Sequence, residues 1–164
     1  MLTSPVSTTE SFVVLVSSRG EDHDSLRGVF QGSRWSLLGA WNGSDGLRII
    51  GPDGCGIAAV ICGYGSPDCD WKLVVQELDK MAGPPKLIVS YWQANERLLA
   101  EVHNYGGYDL LPGAPFEPRE ALSMTERAWF ARTSAAKQGR RPRTGVRCAR
   151  PGGRKAVGTA GVSE

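Results

Sequence analysis

With 164 residues, 41% of them hydrophobic, the chain can build one domain with a proper core, and a second domain would be cramped. The net charge of +2 hides an asymmetry, since residues 1–131 carry 10 Lys+Arg against 16 Asp+Glu and residues 132–164 carry 9 against 1. No stretch approaches the roughly 18 apolar residues of a membrane helix, and the start MLTSPVSTTES lacks the charged and apolar regions of a signal peptide, so the expected compartment is the cytoplasm.

Residues 1–10 are polar and expected to be loose. Phe12 to Val16 is a β-branched apolar run of strand length, stopped by Ser17-Ser18-Arg19-Gly20. Leu26, Val29 and Phe30 follow at helical spacing behind Glu21, Asp22 and Asp24, acids that suit the positive end of a helix. Trp35 to Trp41 reads as a second strand despite Gly39. Ser44 is placed to cap a short helix over 47–50, ended by Gly51-Pro52.

Ile57 to Cys62 is too short and too unbroken for a half-exposed strand. It reads as a central strand buried on both faces, running into the turn Gly63-Tyr64-Gly65-Ser66-Pro67. Trp71, Val74, Val75 and Leu78 mark the next helix, ending near Gly83-Pro84-Pro85. Leu87 to Val89 is a fourth strand, and Leu98, Leu99 and Val102 line a helix that stops at Gly106-Gly107. Tyr108 to Leu111 is a fifth strand. A last helix begins at Pro118, with Leu122, Thr125, Ala128 and Trp129 on its apolar face.

Five strands alternating with five helices predict an α/β fold: a doubly wound, five-stranded parallel sheet with right-handed crossovers and helices on both faces. In such sheets ligands bind past the carboxyl ends of the strands, which singles out the turn at Gly63. After Ala131 the apolar period vanishes, and residues 133–164 read as a disordered basic tail. Four cysteines stand at 55, 62, 69 and 148, a spacing that matches no tight zinc pair, so they read as one buried strand thiol and three loop thiols.

The strings VVLVSS, PDCDW, KLIVS, GGYDLL and APF, in that order and spacing, resemble the receiver domain of bacterial response regulators over residues 11–132. The resemblance implies a flavodoxin-like strand order 2-1-3-4-5 and a role in two-component phosphorelay signalling. A receiver takes a phosphoryl group onto an aspartate. It needs that nucleophile, an acidic cluster for Mg²⁺, and a lysine and a hydroxyl on the phosphate oxygens. By the family pattern, the acidic pair falls at Ser17 and Ser18, and the acceptor, four residues before Pro67, falls at Gly63. The hydroxyl is kept as Ser90. The lysine position falls at Ala114, with Pro112-Gly113 suggesting one extra loop residue, and the aromatic switch position falls at Leu110.

Glycine offers no nucleophile, hydroxyls are poor substitutes for carboxylates on Mg²⁺, and alanine cannot neutralise a phosphoryl oxygen. The expectation is a pseudo-receiver that is no enzyme, holds no cofactor and acts by protein contact. In the resembling family the face built from the fourth helix, fifth strand and fifth helix commonly mediates docking or dimerisation. Tyr91 and Trp92, in the loop leading there, Leu110 on the fifth strand and Trp129 are the candidate interface residues, with Trp129 packing on the sheet as the plainer reading.

Other readings carry less. Asp68 and Asp70 are displaced acceptors in an alternative that joins them with Glu21 and Asp22 around Mg²⁺, yet Asp before a helix ordinarily caps it and Glu21 and Asp22 ordinarily favour its dipole. His103 reads as a surface residue at a helix end. Ser17, His23 and Asp24 suggest a hydrolase trio without the G-x-S-x-G turn. Gly63 and Gly65 invite an anion at the next helix start, against Pro67 and the acids. The arginine-rich tail is a possible nucleic-acid tether without stacking aromatics, and no helix-turn-helix follows the receiver-like region.

Overall fold

The structure is a computed structural model that describes residues 11–65, 68–93 and 96–139. Its strands are β1 (Ser11–Val16), β2 (Trp35–Ala40), β3 (Ile57–Gly63), β4 (Lys86–Tyr91) and β5 (Asp109–Pro112). Its helices are α1 (Gly20–Phe30), α2 (Gly43–Ile50), α3 (Trp71–Asp79), α4 (Glu96–Tyr105) and α5 (Pro118–Gly139). The strands form one parallel sheet in the order β2-β1-β3-β4-β5, as the resemblance implies.

β3 lies at the centre and is buried along its whole length, the consequence of an apolar run with no polar face to turn to water. Alternation along the strands feeds two cores. Val14, Val16, Val60, Cys62 and Val89 pack with Ile50 of α2, Trp71 and Val74 of α3 and Leu98 of α4. Val13, Leu15, Ile61 and Ile88 pack on the other face with Leu26 of α1 and Ala121, Met124 and Ala128 of α5. Helices therefore cover both faces, leaving the carboxyl ends of the strands as the open edge.

Several boundaries differ from the sequence reading. The cap of α2 is Asn42, whose Oδ1 accepts from the Asp45 amide at 2.8 Å. The first short acceptor after β2 starts the helix, so Ser44 falls inside the first turn. β4 extends to Tyr91, which is a strand-end residue and not a loop one. α5 runs to Gly139, seven residues past the expected limit at Arg132, through Ala135, Ala136, Lys137 and Gln138, all good helix formers, to a glycine.

Arg132 is the reason the far end of α5 is held. Its guanidinium donates to the carbonyls of Gly54 (2.8 Å) and Ile57 (2.6 Å) through Nη1, to Gly83 (3.0 Å) through Nε and to Asp53 (3.2 Å) through Nη2. Burial lowers its pKa from the usual arginine range. The loop-thiol reading is also corrected: Cys55 is disulfide-bonded, and Cys69 is buried beside Cys62. Cys148 and the proposed nucleic-acid tether lie outside the described residues.

Candidate functional site: the carboxyl edge of the sheet

At the carboxyl edge, the start of α1, the ends of β3 and β4 and the β5–α5 loop converge on a small, shallow cleft. Gly63 and Ser90 pair across β3 and β4, and the Tyr64 amide donates to the Ser90 carbonyl at 2.8 Å. The Ser17 hydroxyl lies 3.1 Å from where a Cβ on Gly63 would stand. Residues 17, 63 and 90 are thus brought together, and Ala114 lines the same cleft.

The side chain filling this place is one that the sequence reading assigned to the helix dipole. Asp22 lies in the first turn of α1 but is only 5% exposed, and its Oδ2 accepts from the Ser17 hydroxyl at 2.7 Å. The same oxygen would lie 3.4 Å from a Cβ at position 63. A signal for this was present: Asp22 shares a helical face with Leu26 and Val29, at i, i+4 and i+7, and a charge inside an apolar stripe needs a partner. Ser17 is that partner, and its Oγ also accepts from the Arg19 amide at 3.1 Å.

The other polar groups are engaged too. Glu21 is exposed and pairs with Arg19, whose guanidinium carbon sits 4.2 Å from the centroid of the Trp92 ring. Trp92 is 60% exposed at the mouth of the cleft. The Ser90 hydroxyl turns back to the Cys62 carbonyl at 3.4 Å. Leu110 is half-buried against the core, and no lysine lines the cleft among the described residues. Asp22 is therefore the one carboxylate among the cleft-lining residues, and Ser17 already occupies one of its oxygens.

The remaining candidates separate. Asp70 caps α3, its Oδ1 accepting from the Lys72 amide at 3.0 Å, so a carboxylate already sits at the helix start considered for an anion. Asp68 is exposed, and its carbonyl rather than its carboxylate accepts from the Gly43 amide. Residues 66 and 67 of the turn lie outside the described residues. Among the described residues, no three His, Cys, Asp or Glu side chains gather as a metal site.

The suggested trio does not assemble either. His23 is buried and bonds the Ser17 carbonyl through Nε2 at 2.8 Å, while the Ser17 hydroxyl goes to Asp22 and Asp24 pairs with Arg27 at the surface. Gly39 is explained by that histidine, because a Cβ there would stand 2.7 Å from His23 Nδ1. His103 is exposed at the end of α4. Trp129 turns toward β2 and meets Trp35 edge-on at 6.0 Å, which takes it away from the β5 side expected for docking.

The order 2-1-3-4-5 with this edge is the architecture of a response regulator receiver domain. No family model matches the chain, and no curated protein matches it in sequence. Solved structures match it in fold. A signal receiver domain of an HD domain-containing protein from Pseudomonas fluorescens Pf-5 superposes with TM-score 0.68 at 18% identity, covering 84% of this chain and 99% of that one. A response regulator receiver domain from Clostridium thermocellum gives 0.64 at 14%, covering 76% and 98%. A putative response regulator from Chloroflexus aurantiacus gives 0.64 at 19%, covering 73% and 98%.

Proposed function

We propose that the chain is a receiver-like module of two-component signalling that works in the cytoplasm by protein contact and does not take up phosphate by the receiver route. The crowding at Gly63 carries this reading. An aspartate there would bring its Cβ to 3.1 Å from the Ser17 hydroxyl and its carboxylate toward the buried Asp22, so the place of the acceptor is empty of a nucleophile and tight for one.

The partner is a protein or a second copy of the chain. Trp92 and Leu99, exposed at 60% and 42%, and the half-buried Tyr91 supply apolar contact area toward the α4–β5 side. No helix among the described residues is long and apolar enough to cross a membrane.

The test is to incubate the purified chain with acetyl phosphate and Mg²⁺ and read intact mass. The expected spectrum shows no phosphoryl adduct. An adduct mapping to Asp22, Asp68 or Asp70 would make the chain a phosphoacceptor using displaced acids and would overturn the proposal.

A further inference from the structure

Two buried free thiols stand beside the empty acceptor position. Cys62 is fully buried one residue before Gly63, and its strand partner in β1 is Val16. Cys69, 2% exposed, comes back over the same spot from the β3–α3 turn, and its Sγ lies 3.7 Å from the Val16 carbonyl oxygen, to which it donates. Both belong to one apolar cluster, both are free, and both adjoin Val16, Cys62 by strand pairing and Cys69 through its Sγ.

We propose that Cys62 and Cys69 are a peroxide-oxidisable pair whose disulfide ties the end of β3 to the start of α3. The turn would then carry a redox input at the place where receivers carry a phosphoryl group. This inference does not depend on the receiver reading, since thiol oxidation and phosphoryl uptake are measured separately.

The two thiols are unequal in a way that assigns their roles. Their mutual hydrogen bond lowers the pKa of Cys69, while the same bond and then burial push Cys62 well up. Cys69, just before α3 and 2% exposed, is the sulfur a peroxide reaches first, and Cys62, fully buried in β3, is the resolving one. Asp68 and Asp70 on either side of Cys69 are exposed and anionic, and the sulfur is barely accessible. A small neutral oxidant such as hydrogen peroxide is admitted, and a bulky anionic disulfide such as oxidised glutathione is disfavoured.

The chemistry balances with peroxide as the only co-reactant. The Cys69 thiolate attacks one peroxide oxygen, the O–O bond breaks, and hydroxide leaves with Cys69 as the sulfenic acid. Hydroxide takes the Cys62 proton and becomes water. The Cys62 sulfur then attacks the Cys69 sulfur, the S–O bond breaks, and the departing hydroxide takes up the proton first lost by Cys69. The two thiols lose two electrons and two protons, and one peroxide becomes two waters.

The experiment uses the full-length chain with Cys55→Ser, so that the tryptic peptide over residues 49–72 carries only Cys62 and Cys69. Stoichiometric peroxide is expected to lower that peptide's mass by about 2 Da, reversibly with dithiothreitol. It should also slow amide exchange over residues 62–70 and act about tenfold or more faster than oxidised glutathione at equal concentration. Cys62→Ala is expected to stop at the sulfenic acid on Cys69, and Cys69→Ala to leave Cys62 unreacted. Should a variant fail to fold, fragmentation of the same peptide from the wild-type chain still locates the link. Free thiols after peroxide, sulfinic acid at Cys69 without a link, or a link from either thiol to a cysteine outside this peptide would each overturn the proposal.

Discussion

At position 63 a side chain would be tight against Ser17 and in contact with Asp22. A Cβ would come within 3.1 Å of the Ser17 hydroxyl and 3.4 Å of the Asp22 carboxylate, and an aspartate would add a second negative charge beside one already withdrawn from water. Gly63→Asp is therefore expected to lower stability by roughly 1–3 kcal/mol in urea denaturation and still to gain no phosphoryl group from acetyl phosphate. An unchanged urea midpoint would show that the site is roomier than these distances allow. The Ser17–Asp22 bond accounts for the rest of the crowding. Ser17→Ala leaves a buried carboxylate without its donor, and Asp22→Ala leaves a buried hydroxyl without its acceptor. Asp22→Asn keeps an acceptor and is expected to cost less than Asp22→Ala. A double-mutant cycle over Ser17→Ala and Asp22→Ala is expected to show coupling of roughly 1–3 kcal/mol, and a coupling near zero would mean that the two groups find other partners.

Between elements, the contact that joins α3 to α4 is ionic as well as aromatic. Lys72 Nζ meets Glu101 Oε2 at 2.6 Å and sits 4.5 Å from the Tyr105 ring centroid, while Trp71 meets Tyr105 edge-on at 5.8 Å. Hydrogen bonding to Glu101 raises the Lys72 pKa above its ordinary 10.5, outweighing the opposing effect of partial desolvation. A raised lysine pKa means that the folded state holds the proton more tightly. The pair's contribution is thus fully present below the unfolded-state pKa and is lost as pH rises through the folded-state value. Denaturation of wild type and Lys72→Gln at a series of pH values is expected to show a gap that stays constant near neutrality and closes above about pH 10.5. A gap that persists at higher pH would assign the effect to the packing of the lysine stem on Trp71 and Tyr105.

For the whole molecule, the question is where the folded unit stops. Arg132 ties the last third of α5 to the loops before β3 and β4 through four carbonyls, so the helix is part of the domain at least that far. A chain ending after residue 131 is expected to melt about 5 °C or more below one ending after residue 139. Equal melting of the two would mean that the guanidinium clamp contributes nothing. What the sequence determined by itself was whatever is local. Apolar runs and their periods marked all ten elements, because side-chain period follows backbone geometry, and counting back from Pro67 reached Gly63. Only the tertiary structure decided that Asp22 points inward to Ser17, that Cys69 returns onto Cys62, that Trp129 faces Trp35 and that Arg132 reaches Asp53 across 79 positions of sequence. The reason is physical: the fate of a polar or reactive side chain depends on which group a different strand or helix brings within hydrogen-bonding distance, and a linear pattern does not contain that distance.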